Sequence, residues 1–198
     1  MATLGLFTKA FADMFTVAGI LFAVWKGLEE LRRQRKQREE ELVVRKMEIA
    51  QKLLDAFAKD QRAQYASQMF DWTGRPYEIT SARVELIEWH EVKTALRIHD
   101  ENSAYSTKEV FIRDCIDAFL LHAGTMARAH KRNLIELEDL RDGIGYYVLR
   151  ASEQVGDPLK TYMRAYNFRD SLELYEQLLT TVSRPDHYRG EDRQAGLV

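Results

Sequence analysis

Cysteine is almost absent: the chain holds one, Cys115, among 198 residues. A single thiol excludes an intramolecular disulfide framework and any zinc site built on a cysteine cluster. Proline and glycine are scarce too, at three and ten, which suits long helices better than many short strands. Charge of one sign is not in excess. Lys and Arg total 29 against 31 Asp and Glu, for a net charge of -2, so the whole chain lacks the basic surplus of a general nucleic-acid binder. No P-loop, G-x-G-x-x-G, G-x-S-x-G or H-E-x-x-H pattern occurs, which moves the expectation away from an enzyme. No cofactor and no metal ion is implied. What is present is a globular balance, 45% hydrophobic and 30% charged, enough for one domain and a short appendage.

The appendage is N-terminal. Leu4 to Trp25 is a run of 22 residues in which only Lys9 and Asp13 are charged. A helix of that length reaches about 33 Å, enough to cross a bilayer core. Its uninterrupted part, Met14 to Trp25, ends in an aromatic followed by Lys26 and shows no small-x-small cleavage pattern. That favours an anchor over a signal peptide. Lys26, Arg32, Arg33, Arg35, Lys36 and Arg38 follow the span, while Lys9 and the chain amine precede its core. The positive-inside rule then places the C-terminal bulk in the cytoplasm, as a single-pass protein of a bacterial inner membrane. Asp13 lies near one end of the span, one turn after Lys9. Together with Gly19 and Ala23, whose small side chains allow close helix approach, it is a candidate contact between anchors.

Residues 1–25 are thus read as a transmembrane anchor and 26–41 as a charged helical stalk. Arg32, Arg33, Arg35 and Lys36 of that stalk are candidate contacts for anionic lipid headgroups. Nucleic acid is disfavoured as a partner, because no aromatic platform interleaves the cations.

Residues 42–183 read as a cytoplasmic helical domain and 184–198 as a polar tail. Val43, Met47, Ala50, Leu54 and Phe57 recur at helical spacing, and this helix is expected to run on to about Phe70, where Trp72-Thr73-Gly74-Arg75-Pro76 breaks it. A second helix is expected from Ala82 to His99, with Val84, Ile87, Val92, Ala95 and Leu96 inward. Ser106 and Glu109 form a capping box for a third, reaching about Lys131. A fourth spans Glu136 to Glu153, with Gly143 and Gly145 weakening it or permitting close packing. Gly156-Asp157-Pro158 separates it from shorter helices at 159–166 and 169–181. The fold class is therefore all-α: a transmembrane helix, a charged stalk and a compact bundle of about five helices.

Arg83 and His90, two turns apart on the expected second helix, share their spacing with helical nucleases in which an arginine and a histidine cleave RNA at a dimer interface. They are the one catalytic candidate, the histidine as acid/base and the arginine on phosphate charge; a solvated helix face is the simpler account. Arg113 and Asp117 are one turn apart, a spacing for an ion pair or for polar contact with another helix. Cys115 reads as packing.

The segments Phe111-Ile112-Arg113-Asp114-Cys115-Ile116-Asp117-Ala118-Phe119, Asn133-Leu134-Ile135, Glu138-Asp139-Leu140 and Gly145-Tyr146-Tyr147, in this order behind a membrane helix and charged stalk, resemble a family of short, uncharacterised bacterial membrane-anchored proteins. The resemblance implies location and an all-helical cytoplasmic domain, and no activity. The leading expectation is a membrane-anchored interaction or scaffold module, oligomeric and non-enzymatic, whose partner is a second copy or another membrane protein. The alternatives are a gated membrane-disrupting effector, with Asp13 as its handle, and the Arg83/His90 RNase.

Overall fold

A computed structural model describes the backbone of residues 2–81, 83–99 and 104–182, and the side chains within it from Trp25 to Thr181. Contacts divide the chain into two units, 1–45 and 46–198. The elements are α1 (Ala2–Lys59), α2 (Gln61–Asp71), β1 (Gly74–Thr80), β2 (Arg83–Glu88), α3 (Trp89–Ala95), α4 (Thr107–Lys131) and α5 (Glu138–Leu140). A π-helical turn at Arg141–Gly145 follows, then α6 (Tyr146–Gln154), α7 (Asp157–Ala165) and α8 (Arg169–Val182). Among the described residues no helix is long and apolar enough to cross a membrane. The side chains of the candidate span before Trp25 lie outside that set, as do those of Asp13, Gly19 and Ala23. The polar connection 100–103 and the tail 184–198 also lie outside it.

The second unit is built on α4, which packs against α2 and α8. Its capping box is present in full: Ser106 Oγ accepts from Glu109 N, and Glu109 Oε2 accepts from Ser106 N at 2.8 Å. Of the apolar positions expected to face inward on this helix, Val110, Ile112, Ile116, Phe119, Leu120 and Ala123, all but Val110 are buried; Cys115 shares that core, and burial pushes its thiol pKa up to about 12. Val110 falls outside the face and is exposed.

The expectation of one helix from Leu42 to Phe70 is corrected. The chain turns at Asp60, whose extended backbone (φ -80°, ψ 107°) ends α1 and caps α2. Its carboxylate accepts from Arg62 N at 2.9 Å and Ala63 N at 3.3 Å. His122 Nε2 of α4 lies 3.1 Å from the other oxygen. Burial raises this carboxyl's pKa, but the His122 contact and the two backbone donors outweigh that and hold it below the usual value.

The expectation of a helix from Ala82 to His99 is corrected more sharply. Gly74–Thr80 and Arg83–Glu88 form an antiparallel hairpin, with Tyr77 opposite Glu85 and Arg75 opposite Ile87. Among the described residues of that stretch only Trp89–Ala95 is helical. A helix through this stretch would have put Val84 and Ile87 on one buried face. The pleat instead buries Ile87 and Tyr77 and leaves Val84 66% exposed. Among the described residues the fold is therefore mostly helical with one two-stranded ribbon.

The expected fourth helix is interrupted by the π-helical turn. A Cβ on Gly143 there would lie 2.8 Å from Leu54 Cδ2 of α1, so the glycine admits Leu54 at close range. Gly124 plays the corresponding part between α4 and α8: a Cβ there would meet Ser171 Oγ at 2.9 Å. Ser171 is buried and donates to Leu120 O at 2.6 Å. Gly124→Ala is therefore expected to destabilise the chain by about 1–2 kcal/mol, from crowding and a lost buried hydrogen bond. In a Ser171→Ala background the same substitution should cost much less. Urea titrations of the four variants check this, and strict additivity would refute the contact.

Candidate interaction surface

The hairpin is fixed on one side only. Tyr77 and Ile87 plug into the core, and Tyr77 stacks edge-on against Tyr65 of α2 at 5.3 Å between centroids. The other face carries Val84, Leu86 and Pro76, with Pro76 directly opposite Leu86 and Glu78 opposite Val84. All four are exposed. Trp72 enters the hairpin and Trp89 leaves it, 53% and 41% exposed. Each indole holds a cation: Arg75 lies 5.3 Å over Trp72 and Lys93 Nζ 4.4 Å over Trp89. The outer face is thus a short apolar strip of a proline, a valine and a leucine beside Glu78, and an exposed indole stands at each end of the hairpin.

The two edges of the ribbon differ. Trp89 N donates to Thr73 O, so in the alternating antiparallel pattern Arg75–Ile87 is a hydrogen-bonded pair and Pro76–Leu86 is not. The N–H that Pro76 lacks is then one that would have faced outward. Proline there blunts the β1 edge against further strands.

Arg83 and His90 do not meet as expected. Arg83 opens β2 and pairs with Glu85, while His90 sits on α3 with its Nδ1 3.1 Å from Glu88 Oε2. They share no helix face, and each has its own carboxylate. The helix face on which the RNase reading rested is therefore absent.

Of the two roles that the spacing of Arg113 and Asp117 allows, polar contact with other elements is the one formed. Arg113 Nη1 donates to the carbonyls of Ala95 and Arg97 and to Tyr105 Oη, each at 3.0 Å. Its guanidinium lies 4.4 Å from the Tyr105 ring centroid and 4.8 Å from those of Tyr162 and Tyr166. Asp117 instead accepts from Tyr162 Oη at 2.7 Å. Burial raises the Asp117 carboxyl above its usual range, and burial together with that carboxylate raises Tyr162. Tyr166 is lowered, first by the His99 backbone N–H donating to its oxygen and, against some burial, by Arg113. Arg97 pairs with Glu109, whose pKa that hydrogen bond holds down at about 2. This corner fastens the end of α3, and with it Trp89 and the ribbon, to α4 and α7.

In the first unit, Arg33 donates to Glu29 Oε1 at 2.7 Å, and Lys36 lies 3.9 Å from Glu40. Arg32, Arg35 and Arg38 make no ion pair among the described residues. Among those residues no three His, Cys, Asp or Glu side chains gather as a metal site.

The hairpin patch is what sequence reasoning missed. Its signal was there in the period-two order of Arg75 to Thr80 and in the aromatic and β-branched residues Tyr77, Ile79, Val84 and Ile87 on either side of a short polar turn. Set against known proteins, the chain matches no family model, no curated protein and no solved structure.

Proposed function

We propose that the chain is a membrane-anchored interaction module whose cytoplasmic helical domain self-associates through the outer face of its hairpin. The observation that carries this reading is the unpacked outer face of the hairpin, Pro76, Val84 and Leu86, with exposed Trp72 and Trp89 at the hairpin's ends. Exposed apolar residues scattered singly need no explanation, but three neighbours on one face of a hairpin, with an exposed indole at each end of it, have the make-up of an association surface. The two-stranded ribbon adds weight. Such a ribbon is marginal alone, and here its inner face is packed while its outer face is not. The membrane reading rests on the Leu4–Trp25 run and the cations that follow it. Anchoring in the inner membrane of a bacterium would confine the domain to two dimensions and raise its effective concentration for a second copy.

Native mass spectrometry of the detergent-extracted chain is the test. The parent chain is expected as a defined oligomer and Leu86→Glu as a folded monomer, because Leu86 is half exposed and lies outside the core. A monomeric parent, or a Leu86→Glu chain of unchanged subunit number, would overturn self-association through this face.

A further inference from the structure

The stalk sorts its charges by face. On one side Glu29 pairs with Arg33 and Glu40 with Lys36, and Glu30 accepts from Gln34 at 3.4 Å. On the other stand Arg32, Arg35 and Arg38, none ion-paired among the described residues. Three-residue steps advance a helix position by about 60° in the reverse sense, so these arginines span about 120° of α1. Leu28, Leu31 and Leu42 fall in the same sector and are more than half exposed. Glu39, at its far end, is the one carboxylate there. A topology signal that is merely solvated has no reason to sort charges in this way.

We propose that this sector is a binding face for an anionic lipid surface, on which the stalk leans as it leaves the bilayer; the inference rests on the membrane-anchored reading above. Alternating leucine and arginine is the chemistry of a helix at a headgroup layer. Leucines enter between headgroups, while guanidinium groups grip phosphate oxygens in pairs. Trp25, 58% exposed, opens the face as an interfacial anchor would. The face has no aromatic residue between Leu28 and Leu42 on which nucleobases could stack. Arg33 and Lys36, whose carboxylate partners are Glu29 and Glu40, lie off this sector, and Arg38 joins Arg32 and Arg35 on it.

Geometry adds a gradient. Arg32 lies about 10 Å and Arg38 about 20 Å along the axis beyond Trp25, so Arg32 reaches the headgroups at a modest lean and Arg38 only when the stalk inclines steeply towards the surface. Arg32 should contribute most and Arg38 least. Together the three carry roughly a hundredfold in surface affinity.

The test uses the full chain with Leu31→Cys carrying an environment-sensitive fluorophore; Cys115 is buried and its thiol is held protonated. The chain is reconstituted in phosphatidylcholine vesicles with and without phosphatidylglycerol. The expected result is a blue shift only with phosphatidylglycerol. It should be lost in high salt and in the Arg32→Gln/Arg35→Gln/Arg38→Gln variant, and kept in Arg33→Gln/Lys36→Gln. Equal emission in both vesicles, or equal loss in both variants, overturns the lipid face while leaving the anchor in place. A shift produced by an RNA homopolymer without anionic lipid also overturns it, in favour of nucleic acid. Failure to float with pure phosphatidylcholine vesicles overturns the anchor instead, and the phosphatidylglycerol-dependent shift still decides the face.

Discussion

Arg113→Met should lower the unfolding free energy of the domain by about 3 kcal/mol, since a half-buried cation that serves several acceptors is costly to remove. Methionine keeps much of the stem's packing and deletes every donor. The carbonyls of Ala95 and Arg97 and the hydroxyl of Tyr105 each lose their contact. Asp117 stays behind, half-buried, without the neighbouring positive charge that stabilises its ionised form. Arg113→Lys should recover only part of the loss, because an ammonium cannot lie flat among three rings or present the planar fork. Denaturant titration gives the magnitude. Hydrogen exchange gives the place: amides near Arg97 and Tyr105 should lose protection before the middle of α4 does. An Arg113→Met chain within about 0.5 kcal/mol of the parent would mean the corner is surface decoration. The variant also bears on association, since the same corner holds the end of α3 whose first residue is Trp89.

How far the sequence carried the reading can be seen on neighbouring residues. The start of α4 was legible because its signal is local: Ser106 and Glu109 need only each other and the intervening turn. Arg113 and Asp117, one turn on, were legible as a pair of charges and illegible as a site. Their partners lie on α7 and in the stretch after α3, and spacing along one helix says nothing about either. The hairpin failed for another reason. Val84, Ile87, Val92 and Ala95 fit helical spacing as readily as Val84, Leu86 and Glu88 fit a strand, and short apolar runs do not settle the period. What decided it was the burial of Tyr77 beside Ile87, a relation between two strands. The candidate surface was lost with the hairpin, because Leu86 and Trp89 stand out only once β2 exposes one face.

Phe119→Ala is expected to cost about 4 kcal/mol, as the removal of a fully packed aromatic ring does. Phe119 is 2% exposed and meets two rings nearly at right angles, Phe57 of α1 at 5.6 Å and Phe70 of α2 at 5.2 Å. Had α1 run on unbroken, as periodicity alone suggests, positions 57 and 70 would stand about 20 Å apart along one axis. One ring cannot reach both. The turn at Asp60 is therefore the price of folding both phenylalanines onto Phe119, and the Asp60 cap and its His122 contact hold that turn from the α4 side. Phe119→Leu should lose much less than alanine because most of the volume remains. Asp60→Ala alone should cost about 1 kcal/mol from the lost cap. In the Phe119→Ala background it should cost measurably less, since the turn then has less packing to secure. Chemical denaturation of the parent, the two single variants and the double variant measures the coupling. A Phe119→Ala loss below about 1 kcal/mol, or a double variant that is strictly additive, would mean that the three rings do not set the course of the chain at Asp60.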